Sequence, residues 1–283
     1  MHNILACIDE SSWSASVEDA AIWVAAQLKS PLVFLHSIEK NLQTDSNDLS
    51  GQIGLGARSK LLADLSSLDQ QRAKVALQLG KELLANAKDK AQAAGCEKVE
   101  VLQRHGQFVE TVLAQESAAH LVVIGHSGAE AEKKFNVLGS HVESLLRQVN
   151  TPMLITPQAF KQPTNFMLAY DGRATTEKAL ERILSSDMLR GLDCHLVTIK
   201  NKGADQAEKF EQAEKRLNEG GFAVTATYLE GDIFQQLFAY MQNNAVELLV
   251  MGAFAGPRLR QLFVGSNTLK MLENSNLPVL VIK

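Results

Sequence analysis

Two stretches of this chain have the residue types and spacing to hold an anion. In residues 248–268, LLVMGAFAGPRLRQLFVGSNT, four apolar residues, Leu248 to Met251, run into Gly252. A small-residue loop with Ala255 and Gly256 follows, and then Gly265-Ser266-Asn267-Thr268 opens a helical pattern. In residues 121–140, LVVIGHSGAEAEKKFNVLGS, a second apolar run meets Gly125 and Gly128, and Gly139-Ser140 follows. A strand, then small residues, then a helix start is the arrangement by which a parallel α/β sheet holds phosphate. Glycine lets the backbone approach the anion, and the unpaired N–H groups of the first helical turn point at it. Gly265, Ser266 and Thr268 would donate N–H and O–H groups; without a ligand the same residues simply cap a helix. Arg258 and Arg260 lie between the glycines and can add positive charge or stay solvated.

Two aspartates belong beside these loops. Asp9 ends the apolar run Ile4 to Ile8, and Asp171 ends Phe166 to Tyr170. Open α/β sheets bind ligands at the carboxyl ends of their strands, although an Asp there can equally cap the next helix. His36, His126 and His195 are scattered, without an i, i+4 His pair, and read as structural or surface residues. No G-x-S-x-G elbow, G-x-x-x-x-G-K-[ST] loop or zinc-protease motif occurs, and no residue is marked as a general base.

Alternating strand and helix patterns must position these residues. Strands are expected at Ile4 to Ile8, Leu32 to Ile38, Val99 to Leu102, Leu121 to Ile124 and Thr151 to Thr156, with a first helix ending near Leu28. Residues 157–165, PQAFKQPTN, read as a linker. The pattern then restarts, with strands at Phe166 to Tyr170, Cys194 to Ile199, Val224 to Leu229, Leu248 to Met251 and Leu277 to Lys283. Asp171 lies 162 residues after Asp9, but Gly252 lies only 127 after Gly125, so the first copy carries 35 extra residues. These fall mostly in 40–95, where a loop bearing Gly51-x-x-Gly54-x-Gly56 precedes two helical patterns. The first carries Leu61, Leu62, Leu65 and Leu68, which are expected to bury against the first domain or its cleft, and the second carries Val75, Leu79 and Leu83. Two βαβ-rich copies with short buried strands argue for tandem α/β domains, 1–156 and 166–283, each a five-stranded parallel sheet between helices.

The 283 residues are 46% hydrophobic and 21% charged, with a formal net charge of −4 and pI near 6.0. Bulk charge gives no argument for nucleic acid or an anionic membrane. No segment reaches the ~18 apolar residues of a membrane span, and nothing at the N-terminus resembles a signal peptide. Cys7, Cys96 and Cys194 form no CxxC or zinc pattern and read as reduced thiols, so a cytoplasmic location is expected.

Each copy thus has a strand ending in Asp (ILACIDESS; FMLAYDGRA), a glycine-spaced loop with Gly-Ser, a helix and a proline-led last strand (NTPMLIT; NLPVLVIK). In these features the chain resembles the universal stress protein family in its tandem form, over all but residues 40–95 and the linker. The resemblance implies two Rossmann-like domains of the adenine nucleotide alpha hydrolase-like type. It also implies a bound ATP or AMP, with or without Mg, whose adenine or ribose end meets the Asp. The family's nucleotide-binding members place glycine, two residues, glycine, nine residues, glycine, then serine or threonine. The second copy keeps that length with Ala255 in place of the second glycine; the first keeps both glycines but has ten residues, Ala129 to Leu138, before Gly139. Val142 also replaces the hydroxyl of Thr268. On spacing, the second copy is therefore expected to bind better.

The reading is a nucleotide-binding stress regulator without dedicated catalytic machinery. The alternatives are a ligand-free adaptor for a protein partner and a weak ATPase. Pairing of the apolar last strands, 153–156 and 279–282, is expected to make an intramolecular pseudo-dimer, with a homodimer as a further option.

Overall fold

The computed structural model describes residues 2–39, 55–128, 138–200, 205–252 and 266–283. The first half contributes five strands, β1 (Asn3–Cys7), β2 (Leu32–Ile38), β3 (Val99–His105), β4 (Ala119–Gly125) and β5 (Met153–Thr156). The second contributes β6 (Asn165–Ala169), β7 (Asp193–Ile199), β8 (Val224–Leu229), β9 (Leu249–Gly252) and β10 (Val279–Ile282). The strand order is β3-β2-β1-β4-β5-β10-β9-β6-β7-β8, a single ten-stranded sheet. Every neighbouring pair is parallel except β5 with β10, which run antiparallel with Leu154 opposite Leu280. The two apolar terminal strands thus cover each other's open edge, which would otherwise present unpaired backbone groups.

Successive residues of the central strands enter different cores, as a doubly covered sheet requires. Ile4, Ala6, Phe34 and Val123 pack with the helices α1 (Ser14–Leu28), α2 (Leu55–Ala93), α5 (Ala174–Ser185) and α6 (Gln206–Glu219). Leu5, Cys7, Leu35 and Val122 pack on the other face with α3 (Phe108–Gln115), α4 (Ser140–Gln148), α7 (Ile233–Asn243) and α8 (Ser266–Asn274). Both cores run without a break from one half into the other. The α/β class expected from the strand and helix patterns is the class observed.

Residues 55–93 differ from the sequence expectation. The two helical patterns are one helix, α2, of 39 residues. The polar stretch Asp69-Gln70-Gln71-Arg72 interrupts the apolar pattern but contains no Gly or Pro, and most of it has fair helix propensity, so the helix runs through. Burial differs too. Leu84, Ala87 and Ala91 are buried, and Leu83 packs against the same core. Leu68, Val75 and Leu79 are 44%, 58% and 50% exposed; for Leu68 this is contrary to the expected burial, and the side chains of Leu61, Leu62 and Leu65 lie outside those described. The loop 40–54, with its glycine triplet at 51–56, lies almost wholly outside the described residues.

Candidate functional site

The first half opens a cleft of about 340 Å³ at the carboxyl ends of β1 and β4. The strand order turns there, with β2 and β3 on one side of β1 and β4 and β5 on the other, which is where open parallel sheets leave a crevice. Asp9, Gly125, Gly128, Gly139 and Ser140 all line it, so every first-copy residue expected from the sequence reaches one place.

Their local geometry explains why glycine stands where it does. A Cβ on Gly125 would come within 2.8 Å of the Trp13 Cβ. One on Gly128 would come within 2.9 Å of Asp9 Oδ2. The glycine turn and the first βα turn therefore touch across the cleft. Gly139 is the residue before α4, and its N–H donates to the His126 carbonyl at 3.1 Å. That bond holds the far end of the loop against the 125–128 turn, so the ten-residue spacing does not separate Gly139-Ser140 from Gly125. Residues 129–137 between them lie outside the described residues. Ser140 is exposed at the first turn of α4, whereas Val142 beside it is buried.

Asp9 both braces the turn before α1 and borders the cleft. Its Oδ1 accepts from the Ser11 backbone N–H at 3.1 Å and from the Ser11 and Ser14 hydroxyls, while Oδ2 faces Gly128. The carboxylate thus fixes the entry into α1 and still forms part of the cleft wall.

Sequence reasoning missed several lining residues. Ser127 is 9% exposed, and its Oγ is buried without a hydrogen-bond partner. It occupies one of the two variable positions between the glycines, where nothing in the residue type alone marks a role. Trp13 also lines the cleft, with its ring tilted 30° from His126 at 5.7 Å. His36 is 3% exposed; its Nδ1 lies 3.1 Å from the Ile8 carbonyl and therefore donates, leaving Nε2 without a hydrogen-bond partner and 3.6 Å from Glu10. At the mouth, Glu39 accepts from the Phe108 N–H at 2.6 Å and lies 3.6 Å from His141. Ala76 brings α2 to the edge of the same cleft, so part of the added helix does reach the site. Cys7 lies at the cleft floor, and burial, reinforced by the nearby Asp9 charge, pushes its thiol up to about 12.

The second half is arranged differently. Asp171 Oδ1 accepts from the Arg173 N–H at 3.0 Å and the Thr176 hydroxyl at 2.9 Å, and Arg173 Nε is 3.5 Å from Oδ2. It is tied to its own helix start. At the offset that relates Asp9 to Asp171, His36 and Ser37 correspond to Thr198 and Ile199. There Gln206, 3% exposed, donates to the Ile199 carbonyl at 2.8 Å and the Thr198 hydroxyl at 3.0 Å, and accepts from Tyr228 at 2.9 Å. A carboxamide of the chain itself thus fills the end of β7. Gly252 packs so closely that a Cβ would come within 2.7 Å of the Thr175 backbone. Ala255, Gly256 and Gly265, with Arg258 and Arg260, lie outside the described residues. Ser266, Asn267 and Thr268 open α8.

Among the described residues no three His, Cys, Asp or Glu side chains converge on a common point. No described helix is long and apolar enough to cross a membrane.

The family model for the universal stress protein family matches the chain twice, over residues 1–157 and 164–283. Universal stress protein Slr1230 of Synechocystis sp. is 32% identical over 287 aligned residues, covering all of both chains. Universal stress protein MJ0577 of Methanocaldococcus jannaschii is 30% identical over 86 residues, 30% of this chain and 53% of that one. Among solved structures, a universal stress protein from Archaeoglobus fulgidus DSM 4304 aligns with a TM-score of 0.74 at 20% identity, over 99% of this chain and 98% of that chain. With two family matches, a full-length relative and the shared fold, the chain belongs to the universal stress protein family and carries the family's domain twice.

Proposed function

We propose that this chain is an adenine-nucleotide-binding regulator and that its ligand, ATP or AMP, occupies the cleft of the first half. The observation that carries this reading is the convergence of Asp9, Gly125, Gly128, Gly139 and Ser140 around a cleft of about 340 Å³. That volume suits a small ligand. The buried Ser127 hydroxyl, unpaired at the same turn, gives a polar ligand something to satisfy. Ser140 at the start of α4 offers its backbone N–H and its hydroxyl to a phosphate oxygen. Trp13 and Asp9 line the same cleft.

This reverses the preference that loop length gave to the second copy. Gln206 occupies the end of β7, where the first half leaves its cleft, so one nucleotide per chain is the expected stoichiometry. Among the described residues no three His, Cys, Asp or Glu side chains converge as for a metal-assisted hydrolysis, and the role is regulation by binding. A cytoplasmic location belongs to the same reading, supported by the three free cysteines.

The test is extraction of nucleotide from protein purified without added ligand, with identification by mass spectrometry. An adenine nucleotide at up to one per chain is expected. A chain that carries none, and binds none on addition, would leave the cleft without this function.

A further inference from the structure

The added helix α2 has two different halves. From Gly80 onward it packs on the sheet through Leu84, Ala87 and Ala91. Residues 66–75 are exposed at every position, although the helix continues through them. A helical arm that leaves Leu68, Val75 and Leu79 about half exposed lacks the packing that normally stabilises an amphipathic helix.

The sequence of the arm indicates what covers it. Residues 61, 65, 68, 72, 75 and 79 are Leu, Leu, Leu, Arg, Val and Leu, at steps of four, three, four, three and four. Leu61 and Leu65 enter by sequence position alone. This is the alternating spacing of a coiled-coil seam, with one charged residue in it. The order of steps reads the same in both directions. An antiparallel copy with its two-fold axis at residue 70 therefore brings 61 opposite 79, 65 opposite 75 and 68 opposite 72.

Charge selects that arrangement. In the antiparallel pair the dyad gathers Asp69 and Arg72 from each copy, two of each sign. In a parallel, in-register pair Arg72 would face its own copy across the seam, and like charges placed together oppose association. A self-complementary strip of this kind meets the requirement of a two-fold interface, in which the same patch serves both partners. We propose that the exposed arm of α2 pairs antiparallel with the same arm of a second copy, forming a homodimer through a short two-helix coiled coil with its two-fold axis at residue 70.

The experiment is the mass of the full chain in solution, by sedimentation or light scattering under reducing conditions, up to the highest soluble concentration. Wild type is expected to be a dimer. Asp69→Arg places four positive charges at the dyad, and Arg72→Asp places four negative ones; each variant is expected to be monomeric. The double variant Asp69→Arg/Arg72→Asp restores balance and should regain the dimer. Both positions are exposed, so circular dichroism should show the fold unchanged. Val75→Glu, also at an exposed position, should abolish the dimer as well. A monomeric wild type would overturn the proposal and leave the arm to another partner. A dimer that survives all three single variants would place the interface elsewhere, and failure of the double variant to recover would refute the antiparallel geometry.

Discussion

Gly80→Ala tests how closely α2 is fitted to the cleft. Glycine inside an exposed helix costs about 1 kcal/mol relative to alanine, so the substitution would ordinarily stabilise the protein by that much. Here a Cβ would lie 2.5 Å from Cδ2 and 2.8 Å from Nε2 of His36, and would also meet the Gln103 amide. Gln103 can swing away, losing a 3.3 Å bond to the Leu77 carbonyl. His36 cannot move as easily, because its ring is buried and its Nδ1 is bound to Ile8. Overpacking of this kind costs about 1–3 kcal/mol. Set against the helix gain, the net loss is about 1 kcal/mol, or about 2–4 °C in Tm. Denaturant titration and thermal melts of the two proteins measure it, and the same substitution in a His36→Ala background removes the clash. There Gly80→Ala should become stabilising, which gives a coupling term of opposite sign to the single effect. A Gly80→Ala protein more stable than wild type would show that α2 does not rest on His36 as described.

Three further outcomes follow from the same geometry. Ser127→Ala removes a buried hydroxyl without a partner, so the ligand-free protein should be as stable as wild type or more so, while nucleotide affinity falls about tenfold for about 1.4 kcal/mol of lost hydrogen bonding; equal affinity in calorimetry would remove Ser127 from the site. His126 donates through Nε2 to the Leu272 carbonyl at 2.9 Å, and His120 accepts from Arg182 at 3.0 Å, both between the two halves. Burial lowers the pKa of both rings, for His120 with help from Arg182, so the unfolded chain binds more protons below about 6.5 and stability should fall as pH drops through that range. A pH series of melts checks this, and a flat profile from pH 7 to 5 would count against it. Burial raises the thiols of Cys7 and Cys194 to about 12, so the stability they contribute is complete below pH 9 and declines as pH rises from 9 toward 12. The partly exposed Cys96 should therefore be alkylated first, and peptide mapping that finds Cys7 labelled ahead of it would contradict the burial.

Much of this architecture was legible in the residues. Short apolar runs that recur in the same order in both halves fix the order of strands and turns. The apolar terminal strands also revealed that an edge needed covering. Burial in the added segment was not legible, because apolar spacing in α2 states which face is apolar and not whether the body of the protein reaches it. Loop length alone does not decide between the two sites. Counting residues between glycines assumes that their separation along the chain sets their separation in space, whereas the Gly139 N–H bond to His126 closes the longer loop. The placement of Gln206 at the end of β7 depends on a side chain carried by α6, seven residues beyond that strand end. No local motif marks such a residue. Ser127 was hidden for the related reason that an unpaired hydroxyl is a property of its surroundings.

The site assignment is tested most directly by calorimetry with ATP and AMP on the full chain and two glycine variants, Gly128→Val and Gly265→Val. A side chain at 128 would enter the cleft against Asp9, where even a Cβ comes within 2.9 Å of Oδ2. One nucleotide per wild-type chain is expected, with unchanged stoichiometry for Gly265→Val and loss of binding for Gly128→Val while circular dichroism shows the fold retained. Binding that survives Gly128→Val and disappears with Gly265→Val would move the site to the second half and contradict the account.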